Sequence, residues 1–274
     1  MTHTPIGVRP LGIVALSSIL IVTASLAAFA ADTNCEDGNG PLDSAPLQAI
    51  TPQAIITKFA AAETAMRLAR NHYTYRQDVL IQTLNGIEAD GEFREVTNIS
   101  YDSNGKRLEN VAYATQSTLR GIQISQEDLE DIRVFMPFSL GTAELPEYKL
   151  LYAGQQRIDE LNTYVFHVEP QKIQPDKRYF QGRIWVDSRD FQIVKTCGKS
   201  LPDRVHTKKQ EFQDIQPMFV TYRQQIDGHT WFPAYTRVDS TIHFKFRNVV
   251  MREIIKYSDY KRSDEKPIAS ASHP

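Results

Sequence analysis

The chain has 274 residues, 41% of them hydrophobic and 23% charged, which is the composition of an ordinary globular protein and excludes a fibre or a wholly disordered chain. Its 31 basic and 33 acidic residues are evenly spread and leave a formal net charge of −2. Phosphate binding needs a clustered positive surface, so this balance argues against a nucleic-acid partner.

Leu11 to Ala30 carries no charge, follows Arg9 and Pro10, and ends in Ala28-Phe29-Ala30, a small-x-small cleavage pattern. Residues 1–30 therefore read as a secretory signal cleaved after Ala30, which places the protein in the periplasm or outside the cell. An uncleaved membrane anchor is the other reading of an apolar run of about 20 residues. Cleavage removes Arg9 and no acid, so the charge moves from −2 to −3 and no membrane span is left. Cys35 and Cys197 would then lie in an oxidising compartment, either bridged to each other or as two free thiols.

Residues 31–50, rich in Asp, Asn, Gly and Pro, read as a flexible leader. Thr51-Pro52 starts a helix, with Ile55, Phe59, Ala62, Met66 and Ala69 on one face and Lys58, Glu63, Arg67 and Arg70 on the other. From Tyr73 the period becomes two, with strands expected at 73–84, 92–101 and 107–113, the last pair joined by a turn at Asn104-Gly105. Ser125-Gln-Glu-Asp128 resembles a capping box, and Leu129, Ile132, Phe135 and Met136 continue a second, shorter helix. Further strands are expected at 148–158, 163–169, 183–187, 191–196, 218–226, 231–239, 242–247 and 249–257, and residues 261–274 read as a disordered tail. Residues 51–260 form one α+β domain, a large curved antiparallel sheet of about 10–11 strands with two helices on its concave apolar face.

Reaction signatures are missing. The histidines His72, His167, His206, His229 and His243 show no metal-ligand spacing, and neither G-x-S-x-G nor a phosphate-binding glycine loop occurs. The acids Glu127, Asp128, Glu130 and Asp131 sit in the first turns of the short helix, where the dipole favours them. Asp187 and Asp190 flank Ser188-Arg189 as turn residues of a hairpin, whose even register puts Ile184, Val186, Phe191, Ile193 and Cys197 on one face and Trp185 on the other. Lys195 falls on that apolar face, its charge reaching water near the strand end. Ile242, Phe244 and Phe246 alternate with His243, Lys245 and Arg247. Such faces line either a filled core or a cavity.

The segments FAAAETAMRLARNHYTYRQDV, GRIWVDSRDFQIVKTCGK and TYRQQIDGHTWFPAYTRVDS, in this order of elements, resemble the periplasmic lipoprotein-carrier (LolA/LolB-like) superfamily, which includes the N-terminal domain of RseB-type stress regulators. The likeness covers most of residues 51–260 and is nearest to uncharacterised secreted bacterial members. It implies an open half-barrel with helices in its mouth and a cavity for acyl chains, walled by Phe59, Met66, Phe135, Met136, Ile184, Val186, Phe191, Ile193, Ile242, Phe244 and Phe246. The Arg-Pro-containing strand of the true carriers has no match in Glu92–Tyr113, and no carrier site residue transfers by motif. The expected function is non-enzymatic, with no cofactor and no metal: binding of a lipid, a lipoprotein acyl chain or another hydrophobic ligand. The alternative is an envelope sensor or protein-interaction module of the RseB type, with an envelope protein as partner. Nothing in the sequence sets an oligomeric state.

Overall fold

Thr51 accepts a hydrogen bond from the backbone N–H of Ala54 at 3.2 Å, Pro52 takes the first helical position, and Arg67 and Arg70 close the last turn of α1 (Pro52–Arg70). The computed structural model describes residues 1, 33–134, 136–202, 217–244 and 246–263. Residues 2–30 of the segment expected to be a signal, the tail from residue 264, Phe135, His206 and Lys245 lie outside the described residues.

The second helix is α2 (Gln126–Val134). The strands are β1 (Asn39–Asp43), β2 (Tyr73–Asn85), β3 (Glu88–Tyr101), β4 (Arg107–Ala114), β5 (Tyr148–Ile158), β6 (Leu161–Pro170), β7 (Tyr179–Asp187), β8 (Ile193–Leu201), β9 (Phe219–Gln225), β10 (Trp231–His243) and β11 (Asn248–Arg262). They form one open sheet in the order β1-β5-β6-β7-β8-β9-β10-β11-β2-β3-β4, with β1 and β4 at its edges. Every pairing is antiparallel. The α+β half-barrel expected from the sequence is the architecture observed. No helix among the described residues is long and apolar enough to cross a membrane.

The concave face holds the main core, in which Ile55, Phe59 and Ala60 of α1 pack with Val79, Ile99, Phe166, Ile184, Val186, Ile193 and Ile255 of the sheet. A smaller apolar cluster on the convex face gathers Ile158, Val165, Trp185, Val194, Cys197 and Val220. Residues 33–43 cross the convex face as a strap. Thr33 exchanges hydrogen bonds with the Asp239 backbone on β10, Cys35 is bonded to Cys197 on β8, Glu36 pairs with Arg183 on β7, and β1 then adds to β5.

Four local readings change. Residues 39–43 are a strand, because pairing with the distant β5 overrides a composition typical of a leader. Glu63 faces the core, on the same stripe as Phe59 and Met66. The β7–β8 hairpin carries a bulge: Val186 faces Ile193 but Trp185 faces Lys195, so Val194 is an extra residue. One added residue reverses the alternation. Lys195 and Cys197 therefore share the convex face with Trp185, not the concave face with Ile184. Finally, β10 ends at His243 and the Phe244 N–H donates to the Arg247 carbonyl at 2.8 Å, closing a turn where the sequence alternates like a strand.

Candidate functional site

Residues of α1 and α2 both pack against the concave face of the sheet. Of the expected wall residues, Phe59, Met136, Ile184, Val186 and Ile193 are buried in one cluster, with Phe191 and Ile242 partly buried at its margin. Met66 lies in a separate small cluster with Tyr73 and Phe232. Phe244 is partly buried in the β10–β11 turn, and Phe246 is 78% exposed there, so the turn carries it away from the wall.

α2 is held mainly by polar contacts. Ser125 and Asp128 cap each other, the Ser125 N–H donating to Asp128 at 2.7 Å and the Asp128 N–H to Ser125 Oγ at 3.1 Å. Asp131 pairs with Arg178 at 2.8 Å, Arg133 with Glu109 at 3.1 Å, and Arg107 donates to the Arg133 carbonyl at 3.3 Å. Thr221 on β9 donates to the Met136 carbonyl at 2.6 Å. The apolar grip comes from Ile132, which is buried, and Leu129, which is partly so.

Four polar side chains intrude on the apolar register. Glu63 of α1 and Arg223 of β9 form an ion pair at 2.8 Å, both buried, and Arg223 also donates to the Phe138 carbonyl. The Ile193 N–H donates to Glu63 Oε1 at 3.2 Å. Gln77 of β2 lies opposite Tyr257 of β11, each 3% exposed. Glu253 of β11 is buried with an unpartnered oxygen, and burial pushes its carboxyl up to about 8, with Asp128 and Asp131 adding repulsion.

The Glu253 shift has a measurable sign. Its folded value lies above its unfolded value near 4.3–4.5. Below that range the acid is protonated in both states. As pH rises towards 8 the unfolded chain alone releases the proton, and the fold loses stability. Glu253→Gln is therefore expected to stabilise the protein by on the order of 2 kcal/mol at pH 8 and by much less at pH 5. Urea midpoints at the two pH values check this, and an equal gain at both would contradict it.

Polar groups also gather where the C-terminal ends of α1 and α2 meet β2, β3, β4 and β11. The Tyr75 hydroxyl lies 3.4 Å from that of Tyr101 and accepts from Arg107 at 3.4 Å, while its ring stacks on Tyr260 at 5.0 Å. Arg107 donates to Gln77 Oε1 at 2.7 Å, and the Arg70 guanidinium lies 5.2 Å over the Tyr101 ring.

On the convex face, Lys195 is fully buried and its Nζ donates to the Cys35 carbonyl at 3.0 Å, the Asp37 carbonyl at 3.1 Å and Asn39 Oδ1 at 2.7 Å. Burial pulls this ammonium down to about 8. The Cys35–Cys197 disulfide lies beside it. A cavity of about 370 Å³ opens next to the disulfide, lined in part by Leu151, His167, Arg183 and Met218. A second of about 340 Å³ lies by Thr74, Arg76, Asn98 and Lys261.

Asp187 accepts the N–H groups of Arg189 at 3.0 Å and Asp190 at 3.2 Å, while Asp190 accepts the indole N–H of Trp231 at 2.9 Å. Both acids serve the turn and its packing. No group of three potential metal ligands occurs among the described residues.

Sequence reasoning missed Glu63, Gln77, Glu253 and Tyr257 as interior polar groups. The visible signal was a polar residue in an apolar register: Gln77 follows Tyr73 and Tyr75 and precedes Val79 and Ile81 at intervals of two, and Glu253 falls between Met251 and Ile255.

No family model and no curated protein matches the chain. Among solved structures it is similar to a LolA superfamily protein from Nitrosomonas europaea, at 12% identity and a TM-score of 0.35 over 75% of this chain and 96% of the other. It is similar to a putative outer membrane lipoprotein-sorting protein domain from Vibrio parahaemolyticus, at 11% identity and a TM-score of 0.35 over 74% and 91% of the two chains. A chain of the MucA/MucB complex of Pseudomonas aeruginosa matches at 11% identity and a TM-score of 0.23, over 75% and 99%. At identities of 12% or less these are likenesses of fold alone, and what the chain does rests on its own residues.

Proposed function

We propose that the protein is a non-enzymatic periplasmic or secreted binding protein that takes an apolar ligand, a lipid or a lipoprotein acyl chain, between α2 and the concave face, in the handling of outer-membrane lipids or lipoproteins. The observation that carries this reading is the cover. Among its described side chains, α2 closes over an apolar floor through Leu129 and Ile132 and otherwise through polar contacts that water can replace. Uncovering those two side chains costs roughly 2–5 kcal/mol. A sixteen-carbon chain buried in their place contributes about 0.8 kcal/mol per methylene, which outweighs that cost. Phe59, Met136, Ile184, Val186 and Ile193 would form the floor, with Phe191 and Ile242 at the margin.

Titrating the mature protein with a solvatochromic fatty-acid probe tests this. Saturable binding of about one probe per chain is the expected result, and a signal that rises linearly without saturation would overturn it.

A second reading, an envelope interaction module, is favoured by one feature. β4 is an edge strand of eight residues without proline, and Leu108, Val111 and Tyr113 are exposed along it. An extended segment of an envelope protein could add to such an edge. Recovery of a stoichiometric envelope protein with no co-purifying lipid would favour this reading over the first.

A further inference from the structure

Glu253 lies on the floor beneath the cover, and its surroundings are either apolar or acidic. Along β11 it stands between Met251 and Ile255, and across the sheet it faces Val238 on β10 and Ile81 on β2, all four of them buried. Glu253 itself is 3% exposed, and one of its carboxyl oxygens has no hydrogen-bond partner. The charged groups that bear on it among the described residues, Asp128 and Asp131, both belong to α2 and are both acids. Arg178 is engaged by Asp131 at 2.8 Å. The same face of β10 and β2 presents Thr236, Val79 and Gln77 nearby, none of them charged. Tyr257, further along β11, stays neutral, because burial pushes its hydroxyl up to about 12.

A buried carboxyl with no cation opposite it is tolerated only while it keeps its proton. Ionisation sets a third negative charge against the two acids of α2, at a place where the sheet offers no counter-charge. Either the strand or the helix must then give way. β11 is hydrogen-bonded along both edges, to β10 and to β2, and cannot withdraw. α2 can, since the apolar grip of its described side chains is Leu129 and Ile132 alone.

We propose that Glu253 is a pH-sensitive latch on the cover: protonated, it lets α2 lie closed on the floor, and ionised, it drives α2 away and opens the floor to water or ligand. The proposal rests on the reading of α2 as the cover and adds a trigger to it. Its direction follows from proton linkage. In the closed form the acid holds its proton up to about pH 8, whereas with α2 lifted and water at the carboxyl it titrates near its ordinary value of about 4.5. The open form therefore binds fewer protons between these values. Its population rises by up to about tenfold per pH unit from roughly pH 5 to 8, and levels off above.

Hydrogen exchange of the unliganded protein tests it, read as protection factors of amides 129–134 in α2 so that the intrinsic pH dependence of exchange cancels. Between about pH 6 and 8, protection of these amides is expected to fall about tenfold or more in the wild type and to change less than about twofold in Glu253→Gln. Glu253→Leu, which also cannot ionise, should match Glu253→Gln and replaces it if the amide folds poorly. The opening is local, so α2 protection should lie below that of the β7 and β8 amides and resist low urea, which lowers theirs. Protection of α2 that is flat with pH in the wild type, or that falls equally in both variants, overturns the latch. So does α2 protection equal to that of β7 and β8 with the same urea dependence, because the acid then acts only through global unfolding. No ligand enters this experiment, so the two readings fail separately. A probe titration that does not saturate removes acyl binding and leaves the latch decided by exchange, whereas saturable binding with flat α2 protection removes the latch alone.

Discussion

Replacing Cys197 with serine is expected to lower the unfolding free energy of the protein by about 3–5 kcal/mol. The bridge to Cys35 spans 162 residues of sequence, so it removes a large share of the unfolded chain's freedom. Its loss also leaves a hydroxyl in the fully buried Cys197 site, beside Val194 and Val220. The strap keeps its other ties, from Lys195 to the Cys35 and Asp37 carbonyls and from Gln156 Nε2 to the Gly40 carbonyl at 2.8 Å. These act on the same short segment and do not constrain the unfolded state. Urea denaturation should show the loss in Cys197→Ser and in reduced wild-type protein, with no further effect of reductant on the variant. A change below about 1 kcal/mol would show that the noncovalent ties suffice. The bridge lies on the convex face, so ligand binding to the folded variant should be unaltered.

The Glu63–Arg223 pair gives the second large effect. Glu63→Ala or Arg223→Met alone should each destabilise the protein by about 3–5 kcal/mol, because each strands one charge in the core. Each carries an extra burden: without Glu63 the Ile193 N–H loses its acceptor, and without Arg223 the Phe138 carbonyl loses its donor. Replacing both residues with methionine should recover most of the loss, since two desolvated charges repay little more than their own burial. A double-mutant cycle in urea measures the coupling, and additive single losses would contradict the account. The pair ties the middle of α1 to β9 and, through Phe138, to the segment that follows α2. Weakened ligand affinity in the double-methionine variant, with stability retained, would reveal that it sets the position of the cover.

Much of the architecture was legible because it rests on local chemistry. Thr51-Pro52 and the spacing of Ile55, Phe59 and Met66 carry the helix, and the alternation from Tyr73 to Ile81 carries the first long strand. Three kinds of information were not local. The β1–β5 pairing joins segments more than a hundred residues apart, and no composition reveals it. The Val194 bulge is one residue in length yet turns Lys195 and Cys197 to the opposite face. The alternation over Ile242–Arg247 is apparent only, since a turn closes inside it. The candidate site was the least legible part. Its polar members are single residues inside apolar registers, and their meaning depends on neighbours from other strands.

The position of β11 has a consequence for how the chain must be made. β2, β3 and β4 form one meander and β5 to β10 another, and only β11 pairs with both. The contacts that join the two meanders therefore link residues 73–84 to residues 250–262. Until that last strand has been synthesised, the first meander has no second half to pack against, and α1 has only part of its floor. Closure of the sheet is therefore set by one pairing of long sequence separation, and the edge of β2 stays open until residues 250–262 reach it.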